Sequence, residues 1–263
     1  MDERDRTWLE EMSEAYERWL VPVLFAPYAA DLAERAASHA PRHVLELAAG
    51  TGALTRVLVE RLDADVVATD LNDGMVAVGR RNVPGATWRR ADATDLPFDA
   101  GSFDLVVCQF GVMFFPDKPA AFAQVHRVLE PGGRFLFSTW GTVAENDYAS
   151  ALSRALDQLF PDDSPRFLAT VPHGYHDPDV IVDDLEAAGF RAVHHVAVTL
   201  PGHARSAADL AAGFCTGSPL RAGLVERGDL EDLTARVGDL LADELGRGPV
   251  TGSMTAHVVE ATT

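Results

Sequence analysis

Short apolar segments alternate with helical segments along the middle of this chain, and that alternation constrains the fold more than any other feature. Each apolar segment is continuously apolar, which is typical of a strand buried on both faces of a parallel sheet. The sequence therefore predicts an α/β fold with a doubly wound parallel sheet between helices. The expected strands are residues 43–47, 65–69, 86–90, 103–108 and 134–140, and the expected helices are residues 51–62, 72–81 and 119–129.

Three further segments lie outside this alternation. The first is predicted to be helical and carries an apolar stripe at helical spacing, formed by Trp8, Met12, Tyr16, Trp19 and Leu20. The second, residues 205–248, separates two late strands at 192–200 and 254–259 and is too long for a plain loop, so we expect a helical cap. The third, residues 141–178, is expected to be irregular.

These segments give a predicted domain division and a predicted site. Ligands bind outside the carboxyl ends of the strands in open α/β sheets, so all three segments are placed to roof a pocket there. The predicted division is a helical N-terminal segment at 1–40, a core at 41–200 plus 249–263, and a cap at 201–248.

Composition excludes several classes of protein. With 47% hydrophobic residues the 263-residue chain can bury a full core, and its two cysteines cannot form a disulfide scaffold. No run reaches the roughly 18 apolar residues of a membrane span. The acidic start, MDERDRTWLEE, does not read as a secretory signal, so we expect a cytoplasmic protein.

The net charge narrows the partners. Asp and Glu number 40 against 22 Lys and Arg, for a formal charge of −18. That average field repels polyanions, so no nucleic-acid partner is expected. No His, Cys and carboxylate set has a recognised metal-ligand spacing, so no metal is expected either.

Polar residues and glycines follow successive strands at a regular spacing. The first strand ends at Glu46 and runs into a turn with Gly50 and Gly52, where the backbone can approach a ligand closely. Asp70 ends the second strand, at a spacing suited to accepting hydrogen bonds from ribose hydroxyls. Asp92 follows the third strand, where a carboxylate can accept from an adenine amine. Gln109 follows the fourth strand, and a Glu-Pro-Gly-Gly turn at 130–133 precedes the fifth.

In this order and spacing, the five motifs resemble class I S-adenosylmethionine-dependent methyltransferases, and most closely the ubiquinone/menaquinone C-methyltransferase group. The resemblance covers residues 42–140 and implies a Rossmann-like sheet, mostly parallel with an antiparallel last strand. It also implies a transferase that takes S-adenosyl-L-methionine and releases S-adenosyl-L-homocysteine. The chain has Ala48 where the family often has its first glycine.

The resemblance also implies a role for each site residue. Glu46 would approach the methionine amino group, and Gly50 and Gly52 would run beside the methionine and ribose. Asp70 would hold the ribose hydroxyls, and Asp92 would face the adenine. The remaining members of the predicted cofactor-binding set are Ala48, Leu71, Met75, Ala93 and Gln109, with Tyr16 and Tyr28 as residues that would close over the methionine.

Charge separates this interpretation from a dinucleotide site. S-adenosylmethionine carries a sulfonium and an ammonium but no phosphate, so Glu46 suits it and would oppose a pyrophosphate. A nicotinamide-dependent oxidoreductase is therefore the less favoured alternative. An RNA or protein methyltransferase, and an S-adenosylmethionine-binding enzyme without methyl transfer, also stay open. The acidic surface and the roofed pocket favour a small-molecule acceptor.

Methyl transfer needs a base only when the acceptor is protonated at working pH. The densest cluster of titratable groups, at 172–177, offers His173 and His176 as candidate bases. The alternative is a surface turn whose histidines cap the helix that follows. The sequence leaves open the acceptor, the methylated atom and the use of a base. It also leaves open a homodimer formed through the aromatic N-terminal helix.

Overall fold

A computed structural model describes residues 11–263 of the chain. Seven strands form one sheet in the order β3-β2-β1-β4-β5-β7-β6. Strands β1 to β5 pair in parallel, and β7 is antiparallel to both β5 and β6. The predicted doubly wound sheet with an antiparallel last strand is therefore confirmed. The strands are β1 His43–Glu46, β2 Asp65–Asp70, β3 Thr87–Arg90, β4 Phe103–Gln109, β5 Leu129–Trp140, β6 Arg191–Ala204 and β7 Val250–Thr262.

Ten α-helices that lie wholly within the described residues surround the sheet. Residues 11–15 are also α-helical and lead into a π-helical segment at Tyr16–Phe25, and short 3₁₀ turns occur at Val112–Phe114 and Val143–Glu145. The α-helices are α1 Ala26–Ala37, α2 Ala53–Arg61, α3 Asp73–Asn82, α4 Lys118–Val128, α5 Asp147–Leu159, α6 Phe167–Thr170, α7 Pro178–Ala187, α8 Ala207–Thr216, α9 Leu220–Val225 and α10 Leu230–Leu245.

The helix starts in the core follow from local capping. Asn72, the predicted N-cap of α3, accepts a hydrogen bond from the backbone N–H of Gly74 at 2.8 Å. Asp117 caps α4 in the same way by accepting from the N–H of Ala120 at 2.9 Å. Helix α2 begins at Ala53, two residues later than expected, because Gly52 has a left-handed backbone that ends the preceding turn.

The two late strands are longer than the sequence predicted. The antiparallel pairing of β6 with β7 runs from Arg191 opposite Thr262 to Ala204 opposite Val250. Both strands therefore extend beyond the segments predicted as strands. They continue up to helices α8 to α10, which are inserted between β6 and β7. Strand β5 also begins earlier, at Leu129, where it pairs with Phe103 before a register shift. The domain division at residues 40, 200 and 248 stays a prediction.

Tyr148 fixes the point where the chain leaves the sheet for these inserted helices. Its hydroxyl donates to the carbonyl oxygens of Gly202 at 2.7 Å and Val250 at 3.1 Å. A Cβ at Gly202 or at Gly252 would lie within 2.9 Å of its ring. Glycine is thus required on both strands because the Tyr148 ring packs directly on their backbones.

The prediction that residues 141–178 are irregular is wrong. Helix α5 fills residues 147–159, and α6 and the start of α7 follow it. Its buried residues are Tyr148, Ala149, Ala151, Leu152, Ala155 and Leu156. Spacings of three and four residues between them mark an amphipathic helix, and this signal is present in the sequence.

The N-terminal segment is helical from residue 11 to residue 37, as predicted for its described part; Trp8 lies outside the described residues. Between Tyr16 and Phe25 the helix widens to π geometry, and the N–H of Ala26 bonds to the carbonyl of Val21, five residues earlier. In an α-helix of about 3.6 residues per turn, Tyr16 and Phe25 would lie on opposite sides. The wider turns bring the two rings together, stacked with centroids 4.9 Å apart.

No helix of residues 11–263 is long and apolar enough to cross a bilayer. Within the same range, no cluster of three or more His, Cys, Asp or Glu side chains has the geometry to hold a metal ion.

Candidate functional site

One cavity of about 560 Å³ opens at the carboxyl ends of β1, β2, β4 and β5, beneath the N-terminal helix and the inserted helices. Ten of the fourteen sequence-predicted site residues line it: Tyr16, Ala48, Gly50, Asp70, Leu71, Met75, Asp92, Ala93, Gln109 and His173. The other four, Glu46, Gly52, Tyr28 and His176, do not.

The turn after β1 forms the floor of the cavity. Gly50 has φ +56°, a left-handed backbone that favours glycine. Ala48 has φ +49°, so this alanine occupies a position where a glycine would be unstrained. A Cβ at Gly111, after β4, would lie 2.5 Å from the Cβ of Ala48. The same Cβ would lie 2.6 Å from the sulfur of Cys108. Gly111 is therefore a site residue that the sequence did not reveal, and the side chains of Ala48 and Cys108 together require it.

Asp70 is held rigidly at the end of β2. One carboxylate oxygen accepts from the N–H of Gly50 at 2.9 Å, and the other accepts from the N–H of Asn72 at 2.8 Å. Burial raises the pKa of Asp70, while these backbone bonds oppose that change. The carboxylate lines the cavity, and each oxygen keeps a further lone pair for a ligand hydroxyl.

Asp92 and Ala93 lie beside the cavity after β3, next to Leu71 and Met75. One Asp92 oxygen accepts from the N–H of Thr94 at 2.8 Å and from its hydroxyl at 2.7 Å. These hydrogen bonds lower the pKa of Asp92, so the group is anionic at neutral pH. Apolar walls and one anionic acceptor suit a purine ring with an exocyclic amine.

Glu46 lies beneath the turn, outside the cavity. Its carboxyl accepts from the Thr55 hydroxyl at 2.6 Å, and its main-chain carbonyl accepts from Thr69. Burial, with a smaller contribution from Asp70, raises the pKa of Glu46 to about 8. In this geometry Glu46 supports the turn from below, and a direct contact to a methionine amino group stays a prediction.

Gly52 and Tyr28 contact other parts of the protein and do not line the cavity. A Cβ at Gly52 would meet Val83 at 3.0 Å and Trp88 at 3.2 Å, so its backbone is close to protein atoms and not to the cavity. The Tyr28 hydroxyl donates to the carbonyl of Met254 at 2.5 Å, which anchors the N-terminal helix to β7. Their predicted roles in cofactor binding have no geometric support here.

Tyr16 closes the cavity from above. Its ring lies over Gly50, and a Cβ on that glycine would be 3.5 Å from the ring. Glu17 attaches this helix to the turn after β1 and to α2. Its carboxylate accepts from the Thr51 hydroxyl at 2.5 Å and forms an ion pair with Arg56 at 3.2 Å. Gln109 adds a second attachment, since its side-chain amide donates to the carbonyl of Phe25 at 2.7 Å.

The half of the cavity away from Asp70 and Asp92 is apolar and aromatic. Phe110 stacks on Trp140 with ring centroids 3.7 Å apart. The sequence analysis missed this set, although the aromatic run after β4 and the aromatic end of β5 were visible signals. Its other members include Leu20, Leu24, Phe25, Phe115, Phe167, Leu168, Phe214 and Met254.

His173 enters this apolar half, whereas His176 does not. The ring of His173 is buried, and its Nδ1 donates to the carbonyl of Gly141 at 2.7 Å. His176 donates from Nδ1 to the carbonyl of His173 at 2.7 Å. The cap of the following helix is Asp177, which accepts from the N–H of Asp179, so neither histidine fills the capping role of the alternative interpretation.

The residues present fit S-adenosylmethionine better than a dinucleotide. Asp70 offers acceptors to a ribose, and Asp92 offers one to an adenine amine. Among the described residues, Asp70 and Asp92 are the only charged side chains that line the cavity, and no Lys or Arg lies there to bind a phosphate. A phosphate-free, cationic nucleoside matches that set of donors and acceptors.

Comparisons with known proteins identify the family of the chain. A methyltransferase domain model matches residues 45–137. A demethylmenaquinone methyltransferase of Clavibacter sepedonicus is 34% identical over 168 residues, which cover 59% of this chain and 68% of that protein. A ubiquinone/menaquinone biosynthesis C-methyltransferase of Idiomarina loihiensis is 34% identical over 173 residues, covering 59% and 69%.

The fold agrees as well. An S-adenosylmethionine-dependent methyltransferase structure from Thermotoga maritima superposes with a TM-score of 0.56 at 17% identity, covering 97% of this chain and 98% of that one. Sequence relatives, sheet order and cavity together establish an S-adenosylmethionine-dependent enzyme. The chain belongs to the class I S-adenosylmethionine-dependent methyltransferases of the ubiquinone/menaquinone C-methyltransferase type.

Proposed function

We propose that this methyltransferase acts on an uncharged aromatic small molecule that binds in the apolar half of the cavity. The observation that carries the proposal is the charge distribution of the lining. Both charged side chains, Asp70 and Asp92, lie on the cofactor side, and the acceptor side offers aromatic and aliphatic groups. A carboxylate or phosphate on the acceptor would be buried there without a counterion, which is costly.

The size and shape of the cavity also favour a small acceptor. Its volume of about 560 Å³ falls within the range of small-molecule sites. Stacked aromatic side chains such as Phe110 and Trp140 favour a flat ring as ligand. The names of the two relatives, which refer to demethylmenaquinone and to ubiquinone/menaquinone biosynthesis, point to ring substrates of this kind.

When bound, S-adenosylmethionine supplies a methyl group already activated by its sulfonium. The protein's own contribution is alignment and exclusion of water. Asp70 would fix the ribose, Asp92 would face the adenine, and Tyr16 would cover the cofactor from the N-terminal helix. Gln109 would hold that helix against the end of β4, close to the reacting centre.

The test uses purified protein, S-adenosylmethionine and matched pairs of neutral and sulfonated acceptors. We expect S-adenosylhomocysteine release, measured by mass spectrometry, with 1-naphthol or 1,4-dihydroxynaphthalene and none above background with their sulfonates. Equal turnover of the sulfonates would contradict the proposal.

A pair of variants tests the location of the acceptor. Phe167 lines the cavity, whereas nearby Phe160 does not. Phe167→Ala should raise KM for the neutral acceptor by about tenfold to 100-fold, because burying an aromatic ring is worth about 1.5–3 kcal/mol. Phe160→Ala should leave KM unchanged. Equal KM values for Phe167→Ala and the parent would place the acceptor elsewhere.

A further inference from the structure

The acceptor half of the cavity contains one histidine whose ring is held in a defined protonation state. We propose that His173 is the base that accepts a proton from a ring hydroxyl of the acceptor. This inference rests on the proposed function and names the residue that activates the acceptor.

The tautomer of His173 follows from its hydrogen bond. Gly141 presents a carbonyl oxygen to Nδ1 at 2.7 Å, and a carbonyl can only accept, so Nδ1 carries the proton. In a neutral ring Nε2 is then an unprotonated acceptor. Burial, with a smaller effect from His176, lowers the pKa of His173, so the ring is neutral at physiological pH and ready to accept.

Nε2 has no competing partner within residues 11–263. It makes no hydrogen bond to any of the described residues, and it is not among the fully buried, unpaired atoms, so it opens into the cavity. The other polar groups of this half are already engaged. Tyr148 donates to Gly202 and Val250, and Ser218 donates to the carbonyl of Phe214.

Asn146 is engaged in the same way, because its amide donates to the carbonyl of Thr142 and its oxygen accepts from the N–H of Thr255. His173 Nε2 is thus the basic atom that this half of the cavity offers to a ligand proton.

The backbone around His173 holds the ring in place. Its N–H donates to the carbonyl of Leu168 at 2.9 Å, and its carbonyl accepts from His176. The Thr139 hydroxyl donates to the carbonyl of Tyr175 at 2.7 Å, which ties the same loop to β5. Gly141, the partner of Nδ1, directly follows β5. A base fixed to a strand end in this way needs little reorganisation during the reaction.

The reaction balances with this assignment. The acceptor hydroxyl proton moves to Nε2, and the electron pair left on the ring makes its oxygen or a conjugated ring carbon nucleophilic. That atom forms a bond to the methyl carbon as the carbon–sulfur bond breaks, and the bonding pair stays on sulfur. In oxygen methylation the imidazolium then releases its proton to solvent. In carbon methylation the imidazolium returns its proton to the ring oxygen, which restores the hydroxyl, and the proton displaced from the ring carbon leaves to solvent, so one proton is released in either case.

The first experiment reads the tautomer without any turnover. Nitrogen-15 NMR of the full chain, with the His173 signals assigned by loss in His173→Asn, should find a neutral ring protonated at Nδ1 at about pH 7. A ring protonated at Nε2, or one that is charged at that pH, would overturn the proposal.

The second experiment compares His173→Asn with His126→Asn. An Asn amide nitrogen can replace Nδ1 as donor to Gly141 but offers no basic atom at Nε2. His126 lies on α4, outside the cavity lining, and serves as the matched control. With ring-substituted 1-naphthols as acceptors, His173→Asn should lower kcat by about 10²- to 10⁴-fold for hydroxyls that are protonated at the assay pH. The loss should shrink towards onefold for naphthols already ionised, and His126→Asn should match the parent throughout.

A uniform loss across the naphthol series would assign His173 a purely structural role, and an unchanged kcat would remove it from the reaction. Methylation of aryl amines but of no naphthol would contradict this role, because no hydroxyl proton would then reach His173. Failure of the proposed function is recognised separately, because it would appear as S-adenosylhomocysteine release as fast with the sulfonated acceptors as with the neutral ones, whatever residue occupies position 173.

Discussion

The carboxylate of Asp70 accepts a hydrogen bond from the backbone N–H of Gly50 at 2.9 Å, although twenty residues separate them in the chain. The bond joins the end of β2 to the glycine turn after β1. It orients a carboxylate into the cavity and at the same time fixes the turn on which the cofactor lies. Loss of the Asp70 charge should therefore affect cofactor binding through both effects.

We expect Asp70→Asn to weaken S-adenosylhomocysteine binding by about 100-fold in calorimetry, because charged hydrogen bonds are worth about 1.5–3 kcal/mol. Only one Asn atom can accept, so the N–H of Gly50 or of Asn72 is left unpaired. Asp65→Asn, at the opposite end of the same strand, is the control and should bind normally. An affinity for Asp70→Asn within twofold of the parent would show that the carboxylate does not hold the ribose.

The two glycines of the first turn should respond differently to alanine. A Cβ at Gly52 would press on Trp88 and Val83, so Gly52→Ala should lower the free energy of unfolding by about 1–3 kcal/mol through overpacking and positive φ. Gly50 also has positive φ but has room for a Cβ, so Gly50→Ala should lose only the backbone cost of about 1–2 kcal/mol without overpacking. Because Gly50 faces the cavity, its larger effect should be a reduced affinity for S-adenosylhomocysteine.

Denaturant unfolding and calorimetry on both glycine variants separate these effects. The contrary result would be a normal stability for Gly52→Ala, or a larger loss of affinity in Gly52→Ala than in Gly50→Ala.

The sequence could predict the sheet and the loops that carry the cofactor residues because those signals are local. Each buried strand is a short apolar run, and Gly50, Asp70 and Asp92 follow the strand ends directly. The reason why positions 52 and 111 require glycine could not be predicted from such local signals. Gly52 is required by Val83 and Trp88, and Gly111 is required by Ala48 together with its near neighbour Cys108. The contacts with Val83, Trp88 and Ala48 join residues far apart in the chain.

The segments that cover the cavity, namely the N-terminal helix and residues 141–178, were harder to predict for a similar reason. The widening of the helix at Tyr16–Phe25 was not predicted, although Pro22 inside this segment lacks a backbone N–H and disrupts regular α-helical hydrogen bonding. His173 was recognised as a candidate base, but its tautomer is set by Gly141, thirty-two residues earlier. Helix α5 was different, since its apolar spacing was visible in the sequence.

Substitution of Tyr16 tests whether the N-terminal helix covers the bound cofactor. Its ring covers Gly50 and stacks on Phe25, so Tyr16→Ala should weaken S-adenosylhomocysteine binding by about tenfold to 100-fold, in line with about 1.5–3 kcal/mol for a lost buried aromatic ring. Tyr16→Phe keeps the ring and should stay within a few-fold of the parent. Calorimetry on both variants checks this, and unchanged binding by Tyr16→Ala would mean that the N-terminal helix does not close over the cofactor.

Glu46 gives a prediction about stability and pH. Burial raises the pKa of Glu46 to about 8 in the folded chain, above its ordinary value of 4.5. Its contribution to stability is therefore complete below about pH 4.5 and is lost as pH rises through 8, where folding must bury a charge. Glu46→Gln can still accept from Thr55, so the cofactor-free variant should gain stability relative to the parent across that range, by a few kcal/mol at most.

Urea unfolding at a series of pH values measures the difference, with exposed Glu60→Gln on α2 as control. Parallel stability curves for the parent and Glu46→Gln from pH 4.5 to 8 would mean that Glu46 stays ionised in the folded protein.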